Sequence, residues 1–314
     1  KLCEVGFNEI GVGSSVAQEI RRDPYSADLL VSLFACSNQK YLNPAPPDDI
    51  MITAKNILSR LPAMNTISKN CQNDTDIIKL YGNDTLNLLR WLILSNKSQL
   101  IKLPPELKLK NVDFNNQFMT LMAAPRAEDE FQIKKRKNGN KSLFMWHGSG
   151  GDRWHSIIRN GLMNMSNRDC IHGASYGPGI YLASDVSTSL GYTAPVHNLY
   201  GNSMLGKNLT CIALCEVVPV KKFKDFGGIA TLQDEGALIV RFIFPISGDS
   251  GNYGYGYGYG SNSSTLSSGS YIPTLADVLR FMGKGGTGSN FNDGKGRNEI
   301  DYDYNSKNQS DEKQ

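Results

Sequence analysis

No excess of one charge, no long apolar run and no cluster of cysteines or histidines marks this chain of 314 residues. Thirty-three Lys and Arg stand against 30 Asp and Glu, a formal charge of +3. That balance excludes a protein that wraps nucleic acid by charge alone. The longest apolar stretches, such as Leu88 to Leu94, stop well short of the roughly 20 residues that cross a bilayer, and Arg90 interrupts that one. No secretory signal is visible. The six cysteines (Cys3, Cys36, Cys71, Cys170, Cys211 and Cys215) form no C-x-x-C pair, and histidines number four. No metal site is therefore expected. Scattered single cysteines predict reduced thiols and a cytoplasmic location, with the nucleus the alternative. No G-x-G-x-x-G follows a strand with an acidic residue downstream, which argues against a Rossmann fold. Triplets such as Asn83-Asp84-Thr85 read as chance in an Asn-rich chain rather than as glycosylation sites. The first residue is Lys1, not Met, which predicts a piece of a longer chain whose flanks could carry an anchor or another domain.

What is present is a chain 40% apolar and 20% charged, so a core of useful size is expected. Residues 1 to about 135 read as helical. Leu29, Leu30, Leu33 and Phe34 fall on one face of a helix with Ser26 as N-cap. Pro46-Pro47-Asp48-Asp49 opens a second helix through Ile50, Ala54, Ile57, Leu58 and Leu61, closed by Pro62. Asp84 or Thr85 caps a third, with Leu86, Leu88, Leu89, Trp91, Leu92 and Ile93. It is apolar nearly all round and so belongs at the centre of a core. Lys134-Lys135-Arg136-Lys137 reads as a solvated inter-domain loop in preference to a localisation or nucleic-acid patch, because no aromatics interleave the charges. After residue 141 the pattern becomes α+β. Leu143 to Trp146, Thr210 to Val220 and Ala237 to Phe244 read as strands, and Trp154, Ile157 and Ile158 as a short helix ended by Gly161. From Ser247 a Gly-Tyr repeat and a Ser/Gly/Asn tract read as a linker too polar and flexible to pack. Within it, Leu275, Val278, Leu279 and Met282 allow one short amphipathic helix. The expected organisation is a helical domain over 1–137, a catalytic domain over 138–246 and a low-complexity tail over 247–314.

The residues that carry chemistry lie between Phe144 and Thr193. Trp146-His147-Gly148-Ser149 places an imidazole at a strand end, beside a glycine whose bare backbone admits a ligand. Gly177-Pro178-Gly179 bends sharply into Ile180-Tyr181-Leu182. Ser187-Thr188-Ser189-Leu190-Gly191-Tyr192 follows. Tyr181 and Tyr192 are suited to stacking on a flat ring, and Ser189 to bonding an amide. Taken alone, His147 would be a structural residue. Its company of two tyrosines and a serine makes it a site candidate. His155 and His172 read as structural, Trp146 and Trp154 as core, and Cys211 and Cys215 as buried thiols on one strand face.

This spaced set resembles the catalytic domain of the poly(ADP-ribose) polymerase superfamily, the diphtheria-toxin-like ADP-ribosyltransferases. The segment Trp154-His155-Ser156-Ile157-Ile158-Arg159-Asn160-Gly161-Leu162 is similar to the mono-ADP-ribosyltransferase branch of the endoplasmic-reticulum-anchored member and its cytosolic relatives. Residues 26–34 and 89–96 look like that branch's helical domain. The resemblance covers about residues 5 to 245. It implies a helical domain followed by a split mixed β-sheet, NAD as co-substrate and proteins as acceptors. By the resemblance, His147 bonds the adenosine ribose and Ser149 lies near it. Gly148 and Ser189 hold the nicotinamide amide, and Tyr192 and Tyr181 flank the nicotinamide ring. The loop from about Ser166 to Ser175 lines the adenine side. Polymerising members carry a Glu at the start of a late strand; the corresponding position here is Ile229, which cannot accept a proton or a hydrogen bond. Single transfer is therefore expected, with His147, Tyr181 and Ile229 at the catalytic positions. Asp225, Asp234 and Glu235 lie close in sequence, and any one of them reaching the ribose would restore the acid. The competing expectations are a silent NAD-binding module and a scaffold segment of a larger ubiquitin-pathway protein.

Overall fold

The computed structural model describes residues 15–110, 112–166, 175–248 and 272–283. The chain is α+β, as its pattern predicts. Six helices come first: α1 (Val16–Arg22), α2 (Pro24–Ala35), α3 (Asp48–Arg60), α4 (Met64–Asn70), α5 (Asp74–Tyr81) and α6 (Asn83–Leu89). Then follow β1 (Gln99–Lys102), β2 (Phe118–Met122), α7 (Pro125–Lys137), β3 (Leu143–Ser149), α8 (Trp154–Asn160), β4 (Ile180–Ala183) and α9 (Val186–Leu190). The chain continues through β5 (Val196–His197), β6 (Asn208–Val217), β7 (Phe223–Asp225), β8 (Ile229–Leu232), β9 (Leu238–Ser247) and α10 (Leu275–Gly283). The Gly-Tyr tract, Cys3, Cys170 and His172 lie outside the described residues.

The strands form one nine-stranded sheet in the order β1-β2-β9-β6-β3-β4-β8-β7, with β5 added against β6. Every pairing of these strands is antiparallel, so the sheet is not the mixed one expected. Its split is visible as a seam. β3 and β6 pair along seven residues, whereas β3 and β4 pair only at Trp146↔Ala183. Helix is also not continuous through the first 135 residues, since β1 and β2 within that stretch extend the sheet beyond β9. Alternation explains why: Phe118 and Leu100 face one core cluster while Met119 and Ile101 face another, the period of a strand and not of a helix.

Two helix starts differ from the sequence expectation. α2 begins at Pro24 with Asp23 as its N-cap, because the Asp23 carboxylate takes the N–H groups of Tyr25 and Ser26 at 3.0 Å. Proline at the first position has no N–H to satisfy. Ser26 sits inside the turn and donates its hydroxyl to Asp23. α6 starts one residue before Asp84, after Gly82, whose φ of +90° lets the chain turn sharply from α5. It runs on into a π-helical turn, Arg90–Leu94.

α2 is buried on two sides, not one. Leu29, Leu33 and the C-cap Cys36 pack into the sheet core, while Ala27, Val31 and Phe34 pack into the helical core. The exchange is mutual, because the loop after β5 sends Tyr200 into the helical core, where its hydroxyl donates to the Pro62 carbonyl at 2.7 Å. In the same loop, Ser203 and the Met204 N–H both donate to Asp28, a fully buried α2 carboxylate whose pKa burial pushes up. Arg159 of α8 donates to the Trp91 and Leu92 carbonyls, which the end of the π-turn would otherwise leave orphaned. His155 stacks on Trp91 with centroids 5.6 Å apart, so its structural reading holds, as does the buried state of Trp146 and Trp154.

The basic run is not a loop. It is the last turn of α7, and half of it is paired inward. Lys134 bonds Glu130 at 2.8 Å and Asp234 at 2.5 Å, and Lys135 bonds Glu216 at 2.6 Å. Glu216 also accepts from Arg241, at 2.7 Å, and Arg241 forks onto both oxygens of Glu128 at 2.8 Å. Arg241 falls at the register shift of β9 on β6, where Leu214 faces Phe242 and Cys215 faces Val240. The extra residue at this bulge carries the cation that clamps α7 to the sheet. Burial opposes ionisation of Glu128 and Glu216, yet the Arg241 charge and its hydrogen bonds hold both below the ordinary glutamate value of 4.5. Their contribution to stability is thus complete above that value and drains away as pH falls through the depressed pKa values. Replacing Arg241 with Met leaves two buried carboxylates short of a cation and should cost about 3–5 kcal/mol. Chemical denaturation between pH 7 and pH 3 should show that loss at neutral pH and a flatter acid limb than the native protein; an unchanged midpoint would count against the clamp.

Candidate active site

The seam between β3 and β4 opens into a cleft lined by His147, Gly148, Tyr181, Leu182, Ala183, Thr188, Ser189, Tyr192 and Ile229. Six of the seven residues singled out in the sequence therefore come together. Ser149 does not line this cleft. It is buried at the end of β3, where its carbonyl accepts the Trp154 indole N–H at 3.3 Å. Of the loop expected on the adenine side, residues 167–174 lie outside the described residues.

The seam exists because pairing stops. Trp146↔Ala183 joins β3 to β4, and one residue further the His147 ring occupies the gap, its Nδ1 2.9 Å from the Tyr181 carbonyl. A carbonyl only accepts, so Nδ1 carries the proton and Nε2 is left with a lone pair. Burial pushes the imidazole below its ordinary pKa; the bond to Tyr181 opposes this and the Arg153 cation reinforces it. The ring is therefore neutral at pH 7, an acceptor at Nε2.

Gly148 has a different reason from the one its neighbourhood suggested. A Cβ there would lie 1.8 Å from the Ser189 carbonyl oxygen and 3.3 Å from the Thr193 methyl. Its missing side chain admits the end of α9, not first of all a ligand. That approach places Ser189, only 3% exposed, against β3 and leaves Tyr192, 57% exposed, over the cleft mouth. α9 is short and depends on its cap. Asp185 accepts from the Thr188 N–H and hydroxyl, each at 2.7 Å, and from Ser187. Although burial opposes it, these bonds hold the Asp185 carboxyl below its ordinary range. Thr188 lines the cleft and was not anticipated; the Asp185-x-x-Thr188 capping pattern was the available signal.

Tyr181 is anchored through its hydroxyl. Its hydroxyl accepts from the Tyr176 N–H at 3.0 Å and donates to the Gly177 carbonyl at 2.8 Å, closing the turn before β4. Gly179 in that turn has φ +148°, and a Cβ would crowd the Leu232 backbone at 3.1 Å. β4 is thereby fixed on β8, with Ala183 opposite Ile229. Ile229 opens β8 and presents an apolar side chain to the cleft. The three nearby carboxylates point elsewhere. Asp225 accepts from the N–H groups of Gly227 and Gly228, Asp234 holds Lys134, and Glu235 accepts from the Asn164 N–H. No acidic residue lines the cleft among the described residues.

Comparison with known proteins agrees with this geometry. Residues 114–227 match the family model for the poly(ADP-ribose) polymerase catalytic domain, a span that includes every cleft residue but Ile229. The chain is similar to the protein mono-ADP-ribosyltransferase PARP8 of Homo sapiens, 31% identical over 291 residues, covering 78% of this chain and 34% of that protein. It is also similar to the protein mono-ADP-ribosyltransferase PARP16 of Mus musculus, 30% identical over 223 residues, covering 63% of each. The chain thus spans about a third of the length of the first relative and under two thirds of the second.

Gly148→Ala should overpack the β3–α9 contact and cost about 1–3 kcal/mol. The fall in melting temperature measures it; a variant as stable as the native protein would show that α9 can retreat without penalty.

Proposed function

The chain belongs to the poly(ADP-ribose) polymerase superfamily, and we propose that it is an NAD-dependent mono-ADP-ribosyltransferase, moving one ADP-ribose to a protein side chain and releasing nicotinamide. The observation that carries this reading is the convergence of His147, Gly148, Tyr181, Ser189 and Tyr192 on one cleft while Ile229 supplies its apolar wall.

Each residue has a task that its geometry suits. The β3 backbone at Gly148 passes the seam without a β4 partner, so its amide group is available to the nicotinamide carboxamide. The Ser189 hydroxyl can add a second bond to that carboxamide. Tyr192 stacks on the ring from the open side and Tyr181, held by its turn, from the other. Neutral His147 accepts from a ribose hydroxyl at Nε2. Fixing the ring and the ribose lets the glycosidic bond break with oxocarbenium character, the nicotinamide leaving as a neutral molecule. The acceptor then attacks C1′ and loses its proton. Ile229 offers no base and no ribose bond, so the incoming group must be nucleophilic in its own right. A hydroxyl of already attached ADP-ribose is a poor nucleophile without such help, which supports transfer stopping at one unit.

The apolar Ile229 also favours one rival, a cleft that binds NAD without transfer. Incubation with labelled NAD, with and without cell lysate, separates the two. Single additions resolved by intact mass are expected, and both His147→Ala and Tyr192→Ala should lower kcat/KM for NAD by roughly 10²-fold. Heavy ladders would overturn single transfer, and NAD binding without label would favour the silent module. The depressed His147 pKa fixes the pH profile. The needed form is neutral, so kcat/KM should stay level down to the ordinary imidazole value of 6.5 and fall only below it.

A further inference from the structure

At the opposite end of the sheet, the first turn of α2, the edge strand β1 and helix α10 line a second, partly open cavity of about 570 Å³. That is the size of a small-molecule site. Leu103, Leu121, Val278 and Phe281 give it an apolar wall. Its charges are unbalanced. The acidic residue in its lining is Asp23, and both Asp23 oxygens are already engaged. One caps α2; the other accepts from Ser26 and from the Lys102 N–H at 3.0 Å. Arg22 is held by Glu19 at 2.7 Å. Neither the Lys102 nor the Lys108 ammonium forms a close ion pair with a carboxylate among the described residues, although the Asp23 and Asp28 charges act on Lys102. The Lys102 ammonium lies over the Tyr25 ring, 3.3 Å from its centroid, and Lys108 donates to the Asn115 carbonyl at 2.7 Å. Burial, and then the charge of Lys108, pull the Lys102 pKa down against the opposing charges of Asp23 and Asp28.

We propose that this cavity binds a small amphipathic organic anion, its carboxylate or sulfonate head between Lys102 and Lys108 and its apolar body against Leu103, Leu121, Val278 and Phe281. An anion satisfies donors that the protein leaves to a carbonyl and a ring face, and a cation would meet two ammonium groups. α10 adds Val278 and Phe281 to one wall, and a volume of about 570 Å³ suits an occupant of small-molecule size.

The probe is 1-anilinonaphthalene-8-sulfonate, titrated into the full chain with NAD at saturation so that the first cleft is filled. Its neutral analogue, N-phenyl-1-naphthylamine, is titrated in parallel. The sulfonate should bind roughly tenfold or more tightly than the neutral dye, and the preference should vanish in Lys102→Met/Lys108→Met. Met keeps the aliphatic stems, and an unchanged melting temperature confirms the variant is folded. If the variant does not fold, the two dyes on the native protein still decide. Equal affinity for both dyes would overturn the proposal, as would a folded double variant that keeps the preference. Competition by a long-chain fatty acid or by an aryl carboxylate then tells an acyl body from an aromatic one.

Discussion

The Ser189 carbonyl occupies the place where a side chain at residue 148 would be, and the cleft exists because of that contact. β3 supplies a strand end, α9 a serine and the turn after α9 an exposed tyrosine, but only a glycine lets one approach the other. The seam depends on the same region. Past Trp146 the ladder to β4 is abandoned, and His147 satisfies the Tyr181 carbonyl that a continuing ladder would have used. One imidazole thus closes a backbone vacancy and presents its other nitrogen as an acceptor. A sheet that paired to its ends would have no site here.

The rest of the molecule holds this arrangement rigid by mutual burial. α2 gives one side to each core, Tyr200 returns the exchange, and Arg159 bonds the carbonyls at the end of the π-turn. The charged set Glu128, Lys135, Glu216 and Arg241 binds α7 beneath the sheet. Such a set adds little net stability over apolar packing, but it punishes any alternative arrangement that leaves one member alone. The helical part is thereby fused to the sheet and cannot be described as an appendage to it.

Much of this was legible from residue order. The α3 boundaries, the helix from Trp154 to Gly161 and the strands around Trp146, Cys211 and Ile243 follow from proline, glycine and apolar periodicity, which act locally. The cleft residues were legible because spaced motifs name them. Less legible were the caps of α2 and α6, where a carboxylate and a glycine one to three residues earlier outcompeted Ser26 and Asp84. The two-sided burial of α2 was hidden as well, since periodicity shows that a helix has an apolar face and not how many neighbours it has. The basic run looked solvated because its partners, Glu216 and Asp234, lie about a hundred residues away.

The sequence by itself determined the chemistry on offer: an imidazole, two tyrosines, a serine and an isoleucine in place of an acid. Tertiary structure alone decided which groups meet. Asp225, Asp234 and Glu235 stand close to Ile229 along the chain, yet turn glycines, Lys134 and the Asn164 N–H hold them away. The reason is physical. A side chain's direction is set by strand alternation and by hydrogen bonds to groups distant in sequence, and neither is written in its own neighbourhood.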